Sequence, residues 1–220
     1  MKLVLASGSQ RRRELLTMCG YDYEIIVSNA DETIDENDPE SFVRALSFRK
    51  AKEVFDRLFA AGRRDFAVIG SDTVVAFQKE GEAKPVIIGK PKDAKDAVRI
   101  LSMLSGKTHR VFTGVSVIAD IPDENAAAQC SIREKAEIQT ECSITEVTFE
   151  TLSPGEITDY VNSGDPLDKA GSYGIQGPFG MFVREIRGNY FTVIGMPIPV
   201  LYKMLKKIGI LPHGFYERIE

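Results

Sequence analysis

The chain has 220 residues, 43% of them apolar and 27% charged, with a formal net charge of −4. That length suits one large domain or two small lobes and buries a core without disulfide or metal staples. The acidic balance excludes a general nucleic-acid coat, which needs net positive surface, but leaves room for a local basic pocket.

Residues 2–6 are a short apolar run ending in Ser7-Gly8-Ser9, which predicts a strand entering a turn. The run is too short for a signal peptide. Ser9 predicts the cap of a helix over 10–18, stopped by Gly20. A second strand is expected over 23–27 and an acidic loop over 29–38. Asp38 followed by Pro39 predicts a capped helix start. That helix runs to about residue 60, with Phe42, Leu46, Val54 and Leu58 on one i+4 ridge. A long apolar strand follows over 66–77, then a polar turn over 78–85. Asp93 caps a helix ending near Gly106, and 109–119 predicts another strand. A polar loop over 120–128 precedes a long β-branched strand over 137–152. Ser153-Pro-Gly-Glu156 is a capping box opening a helix to about residue 162. Residues 181–186 and 190–194 are expected to pair as a hairpin across Arg187-Gly188-Asn189. A helix over 197–208 closes the chain. Early alternation with strands clustered in the middle means α/β with a mixed sheet.

Cys19, Cys130 and Cys142 are odd in number and lack C-x-x-C spacing, which argues against a disulfide framework or zinc site and fits a reducing compartment. No segment approaches the ~20 apolar residues of a membrane span. The expected location is cytoplasmic.

Several residues carry chemical signals. In 169–180 glycine recurs every third residue, at Gly171, Gly174, Gly177 and Gly180. Lys169 heads the stretch and Gln176 lies inside it, so it reads as an ordered loop around an anionic ligand with a polar edge. Asp72 sits in a strand apolar on both faces, where a carboxylate needs a cation, a metal, a bound water or backbone donors. Ser7 to Arg13 put three arginines at a helix start, either an anion site or a solvated basic turn. Lys50 falls on the apolar ridge, where it snorkels or reaches a buried anion. Lys90 lies in a rigid Gly89-Lys90-Pro91 turn, as a pocket residue or an exposed one. Glu32 stands in the acidic loop, solvated or holding Mg²⁺ with substrate phosphate. His109 and His213 lack a second histidine at ligand spacing and read as structural. Gly106-Lys107-Thr108 resembles a P-loop tail, but position 101 is Leu and a strand follows, so that motif is rejected. Cations, a buried carboxylate and a polar reader together fit a nucleotide pocket for metal-assisted phosphoanhydride cleavage.

The chain resembles the Maf family of nucleoside triphosphate pyrophosphatases, nearly end to end. The resemblance rests on residues 5–12 (Leu-Ala-Ser-Gly-Ser-Gln-Arg-Arg), Gly70-Ser-Asp-Thr73, Gly89-Lys-Pro91, Leu104-Ser-Gly106, His109, Thr113-Gly-Val115 and 166–177. It implies one Maf-like domain over 1–220, with room for two lobes around a nucleotide cleft. The implied fold is that of Maf and inosine triphosphatase: an elongated, twisted mixed sheet flanked by helices. The implied reaction splits a nucleoside triphosphate between the α and β phosphates and needs a divalent metal, Mg²⁺ or Mn²⁺. The family's catalytic base falls on Asp72, with Glu32 beside it for metal. Its phosphate-handling residues fall on Ser7, Arg12, Lys50, Lys90 and Lys169. Arg11, Thr73 and Gln176 match the branch specific for dTTP and UTP rather than the one for 7-methyl-GTP. Gln10 replaces the family's usual proline, which predicts altered affinity or no effect. The implied partner is a nucleoside triphosphate, with no nucleic-acid polymer and no membrane, and a homodimer is left open. The competing readings are a nucleotide-binding regulator of septum formation with little turnover and a pyrophosphatase of the 7-methyl-GTP or inosine-triphosphate type.

Overall fold

The computed structural model describes residues 1–79, 81–82, 84–121 and 136–214. The expected loop over 120–128 and Cys130 therefore lie largely or wholly outside the described residues. Cys19 and Cys142 are free, and burial raises both thiols, Cys142 to about 12. Neither is therefore a candidate thiolate nucleophile.

The apolar runs form a seven-stranded mixed sheet in the order β2-β1-β3-β5-β6-β7, with β4 pairing β3. The strands are β1 (Lys2–Leu5), β2 (Tyr23–Ile25), β3 (Phe66–Phe77), β4 (Val86–Ile88), β5 (Thr108–Ala119), β6 (Glu137–Phe149) and β7 (Val183–Arg187). β1 runs parallel to β2 and β3, and every other pairing is antiparallel. The helices are α1 (Gln10–Met18), α2 (Pro39–Ala60), α3 (Ala94–Leu104), α4 (Pro154–Asn162), α5 (Tyr190–Ile194) and α6 (Ile198–Lys207).

One edge of β3 positions the site. β1 pairs with β3 from Phe66 to Ile69, and β4 pairs on the same side from Val75 to Phe77. Among the described residues no strand pairs with Gly70–Val74 on that side. A crevice opens where two neighbours of a strand diverge, the general position for a ligand in an open α/β sheet.

Helix α2 starts where Asp38 accepts the Ser41 N–H at 2.9 Å and Pro39 pre-sets φ. It covers one face of the sheet with Val43, Leu46, Ala51, Val54 and Phe55, all buried. Each large apolar side chain contributes about 1.5–3 kcal/mol on burial, well above the few tenths of an exposed helical ion pair, so packing sets the helix position. Gly70 and Gly114 fix how close it comes. A Cβ on Gly70 would lie 2.1 Å from the Ser47 carbonyl oxygen, and one on Gly114 would lie 2.2 Å from that of Val43. The opposite face packs α1 and α6 against Leu3, Leu5, Ala67, Ile69, Val115 and Val117.

Three expectations are corrected. No hairpin follows β7: Gly188 turns the chain at φ 129° and residues Tyr190–Ile194 are helical. Asn189 accepts the Phe191 N–H at 2.8 Å, and Thr145 on β6 bonds both the N–H and the carbonyl of Asn189. A cap held from a neighbouring strand thus overrides the β propensity of Phe191-Thr192-Val193-Ile194. Strand β6 ends at Phe149 rather than 152. Ser9 occupies the cap position of α1, but its side chain makes no capping bond. By contrast, the capping box of Ser153 and Glu156 forms with both arms.

His109 is buried against Phe149 and Tyr173, sharing a 2.9 Å hydrogen bond between Nε2 and the Tyr173 hydroxyl. Burial pulls its pKa down to about 3, so the ring is neutral in the fold. Unfolded, it titrates near 6.5. Between these values the unfolded chain binds a proton that the native chain does not. The stability it supports is present above about pH 6.5 and falls toward pH 3, by at most about 1.4 kcal/mol per pH unit. Urea unfolding at pH 7.5 and 4.5 is expected to show a smaller loss of stability in His109→Gln than in the parent.

Candidate active site

A cleft of about 1020 Å³ opens beside the unpaired edge of β3. Ser7, Arg11, Arg12, Glu32, Lys50, Asp72, Thr73, Lys90, Lys169 and Gln176 all line it. A smaller cavity of about 520 Å³ between the starts of β1 and β2 and the chain after α6 holds none of them.

Side chains alternate across a strand, so Asp72 and Thr73 face opposite sides of the sheet at the same open edge. Asp72 meets α2. Its Oδ1 accepts from Lys50 Nζ at 2.7 Å, and Glu32 Oε1 lies 2.9 Å from the same ammonium. Lys50 therefore reaches a buried anion rather than snorkelling. Both members of the Lys50–Asp72 pair are 12% exposed, which makes the pair costly to break from one side. Among the described residues no hydrogen bond engages Asp72 Oδ2.

Thr73 meets the other wall. Thr113 gives its one proton to the Thr192 carbonyl at 2.7 Å, so Thr73 donates to Thr113 at 3.0 Å. The Thr73 oxygen is left as an acceptor, 3.4 Å from Arg12 Nη2. Arg12 also donates to the Gly195 carbonyl at 2.9 Å and to Ser7 Oγ at 3.0 Å. Among the described residues, two of its five N–H groups stay uncommitted. Burial pulls Arg12 below its ordinary value while Asp72 pulls it back up, and a guanidinium remains charged throughout. Ser7 Oγ accepts from Arg12 and from the Ser9 N–H, which leaves its own proton free. With no side chain capping α1, the first N–H groups of that helix also lack an intrahelical partner.

The glycine stretch forms the third wall. Only Gly171 of its four glycines is left-handed, at φ 73°. At Gly174 close approach is the constraint instead: a Cβ there would lie 2.6 Å from Lys169 Cε, so a side chain would have to displace the lysine from its partners. Lys169 is saturated, since it donates to the Asp165 carbonyl at 2.6 Å, Asp165 Oδ1 at 3.0 Å and Asp168 Oδ1 at 2.7 Å. The other Asp168 oxygen takes Arg11 at 3.2 Å. Burial would raise the Asp168 carboxyl, but Lys169 and Arg11 outweigh it and hold it below the usual carboxylate range. Lys90 and Gln176 are exposed in the cleft, and neither side chain has a hydrogen bond or ion pair among the described residues.

Asp165 and Tyr160 escaped notice in the sequence, and Asp168, though inside the 166–177 stretch, was given no role. The Tyr160 hydroxyl donates to Asp165 Oδ2 and accepts the Gly174 N–H at 3.0 Å, tying the loop to α4. Two aspartates within four positions of a lysine that heads a glycine loop were the available signal.

The donor set fits a hard divalent cation. Asp72 and Glu32 carboxylates from two separate segments converge on one cation, the Lys50 ammonium. No group of three or more His, Cys, Asp or Glu residues that could hold a metal occurs among the described residues. The protein thus offers one or two carboxylates, the share that Mg²⁺ usually takes when substrate phosphate and water complete its shell.

The family model described as Maf-like protein matches residues 2–208. The chain belongs to the Maf family. A Maf relative from Agathobacter rectalis named dTTP/UTP pyrophosphatase is 40% identical over 217 residues, covering 95% of this chain and 98% of its own. One of the same name from Bacillus thuringiensis subsp. konkukian is 42% identical over 210 residues, covering 95% and 96%. The Ham1 protein of Staphylococcus aureus superposes with a TM-score of 0.51 at 14% identity, over 94% of this chain and 99% of that one. That likeness concerns the fold alone, and it agrees with the inosine-triphosphatase-like architecture expected from the Maf resemblance. Among the described residues no helix is long and apolar enough to cross a membrane.

Proposed function

We propose that this Maf protein hydrolyses dTTP and UTP to the nucleoside monophosphate and pyrophosphate. The observation that carries the reading is the Asp72 carboxylate, set in a cleft whose walls present Arg12, Lys50, Lys90 and Gln176. Its relatives' names support the same substrates.

Asp72 Oδ1 is held by Lys50, and Oδ2 takes a proton from water. The water oxygen bonds to phosphorus while the bond to the pyrophosphate oxygen breaks. The leaving group departs with its electron pair, and the proton rests on Asp72. Ser7, Arg12, Lys50 and Lys90 hold phosphate oxygens and offset the charge that develops on them. Lys169 reaches phosphate only by exchanging an aspartate oxygen for a phosphate oxygen, because its three protons are already engaged. Asp72 and Glu32 would hold Mg²⁺ or Mn²⁺, which neutralises phosphate charge when bound.

Base choice falls to Arg11, Thr73 and Gln176. A uracil edge offers two carbonyl acceptors around one N–H. The Gln176 amide pairs with one of each, and the second carbonyl needs a donor, which Arg11 supplies with an N–H not given to Asp168; Thr73, whose proton goes to Thr113, shapes the wall beside it. Thymine presents the same edge, its 5-methyl lying off it, so one pocket serves both bases.

A panel of dTTP, UTP, dCTP, ATP, GTP, ITP and 7-methyl-GTP, read by pyrophosphate release with Mg²⁺ and Mn²⁺, checks the assignment. The expected kcat/KM favours dTTP and UTP by about 10²-fold, a modest share of what hydrogen-bonded discrimination reaches. Release of single phosphates would overturn the reaction, and preference for ITP or 7-methyl-GTP would overturn the base reading.

A further inference from the structure

Glu32 stands in a segment, residues 26–37, without helix or strand. Such a segment holds one conformation only if side chains tie it down. Three residues spaced one turn apart on α2 do so. Arg49 Nη1 donates to the carbonyls of Asp31 and Thr33, both at 2.8 Å, so it grips the backbone on each side of Glu32. Glu53 accepts the Asn29 N–H at 3.0 Å. Arg57 donates to the Val27 carbonyl at 3.1 Å and lies 3.5 Å from Glu53. Residues i, i+4 and i+8 share one ridge of a helix. This ridge is adjacent to the one carrying Lys50. Within the segment, Asp31 Oδ1 accepts the Thr33 N–H at 2.9 Å and Ser28 Oγ the Ala30 N–H at 3.0 Å, which shapes the curve that the ridge then fixes.

We propose that Arg49, Glu53 and Arg57 form a rail on α2 that positions Glu32 over the cleft, with Arg49 as the principal positioning residue. The geometry locks one element to both partners of the pair: α2 carries Lys50 directly and Glu32 through the rail. None of the three rail residues lines the cleft. The functional consequence rests on the reading of Glu32 as a metal-handling residue.

Arg49→Ala, Arg49→Lys, Arg57→Ala and Glu32→Gln are compared with the parent by hydrogen exchange of residues 28–34 and by Mn²⁺ affinity from the EPR signal of free Mn²⁺. Arg49→Ala is expected to speed exchange in that segment about tenfold with α2 unchanged, and to weaken Mn²⁺ by about tenfold, the low end for a residue that orients a metal ligand. The KM for nucleotide at saturating Mn²⁺ should stay near the parent value. Arg49→Lys should restore part of both effects, and Arg57→Ala should loosen the Val27 end. Unchanged exchange in both alanine variants would overturn the rail, and general loss of protection in α2 would show a merely structural role. Glu32→Gln separates the two ideas. If it leaves Mn²⁺ affinity intact, the metal reading of Glu32 fails and the rail stands or falls on exchange alone. If it weakens Mn²⁺ while Arg49→Ala does not, the positioning role is refuted.

Discussion

Asp72→Asn should lower kcat for dTTP by about 10²–10⁴-fold, the usual share of a positioned general base. The amide keeps the volume and one oxygen for Lys50, but it accepts no proton from water. The fold should survive, because Lys50 retains Glu32 at 2.9 Å and is not left as an unpaired buried charge. KM should change far less than kcat, since Arg12, Lys90 and Gln176 are untouched. Steady-state pyrophosphate release, with far-UV circular dichroism as the folding control, reads all of this. A variant that keeps more than a tenth of the parent kcat would remove Asp72 from the chemistry.

Gly114→Ala is expected to be, with Gly70→Ala, among the most damaging small substitutions. Its new methyl would sit 2.2 Å from the Val43 carbonyl oxygen and 2.5 Å from the Val43 carbonyl carbon. Those are backbone atoms of α2, so no side-chain rotation relieves the overlap. Overpacking costs about 1–3 kcal/mol, and rigid contacts place this case at the upper end. For a chain of this size that is a fall in Tm of about 6–12 °C. Lifting α2 also separates Lys50 from Asp72, so kcat should fall with stability. Gly155→Ala is the control, because its nearest neighbour would be Ser153 Oγ at 3.9 Å. Calorimetry of the two variants decides the matter. Equal Tm values would mean that close approach of α2 to the sheet is not required.

Much of this architecture was legible in the chain. Asp38-Pro39 marked the start of α2, and Phe66–Phe77 was bounded to the residue. Those signals are local: a cap, a proline, an uninterrupted apolar run. The hairpin expected after β7 failed because Phe191-Thr192-Val193-Ile194 has β propensity, while the bonds that decided its fate come from Thr145 in another strand. The glycine period predicted an ordered loop correctly, yet its glycines serve different ends: Gly171 takes φ 73° hard against Val75, Gly174 packs on Lys169, Gly180 lies against the Ile175 carbonyl, and Gly177 has only ordinary contacts. Lys169 was read as the cation that meets an anionic ligand. Its saturation by Asp165 and Asp168 depends on side-chain directions within a tight 3₁₀ turn, which spacing alone does not give.

The sequence by itself determined that an aspartate would lie in an apolar strand, that cations would stand at the ends and on the ridges of separate elements, and that an ordered glycine loop would carry a glutamine. These follow from composition, period and caps, which act over a few residues. Only the tertiary structure decided that β1 and β4 leave β3 between Gly70 and Val74, so that Asp72 faces a cleft. It also decided that Gly70 and Gly114 let α2 descend until Lys50 meets Asp72 at 2.7 Å. Strand neighbours and helix height are set by contacts between residues far apart in the chain, and no local pattern encodes those distances.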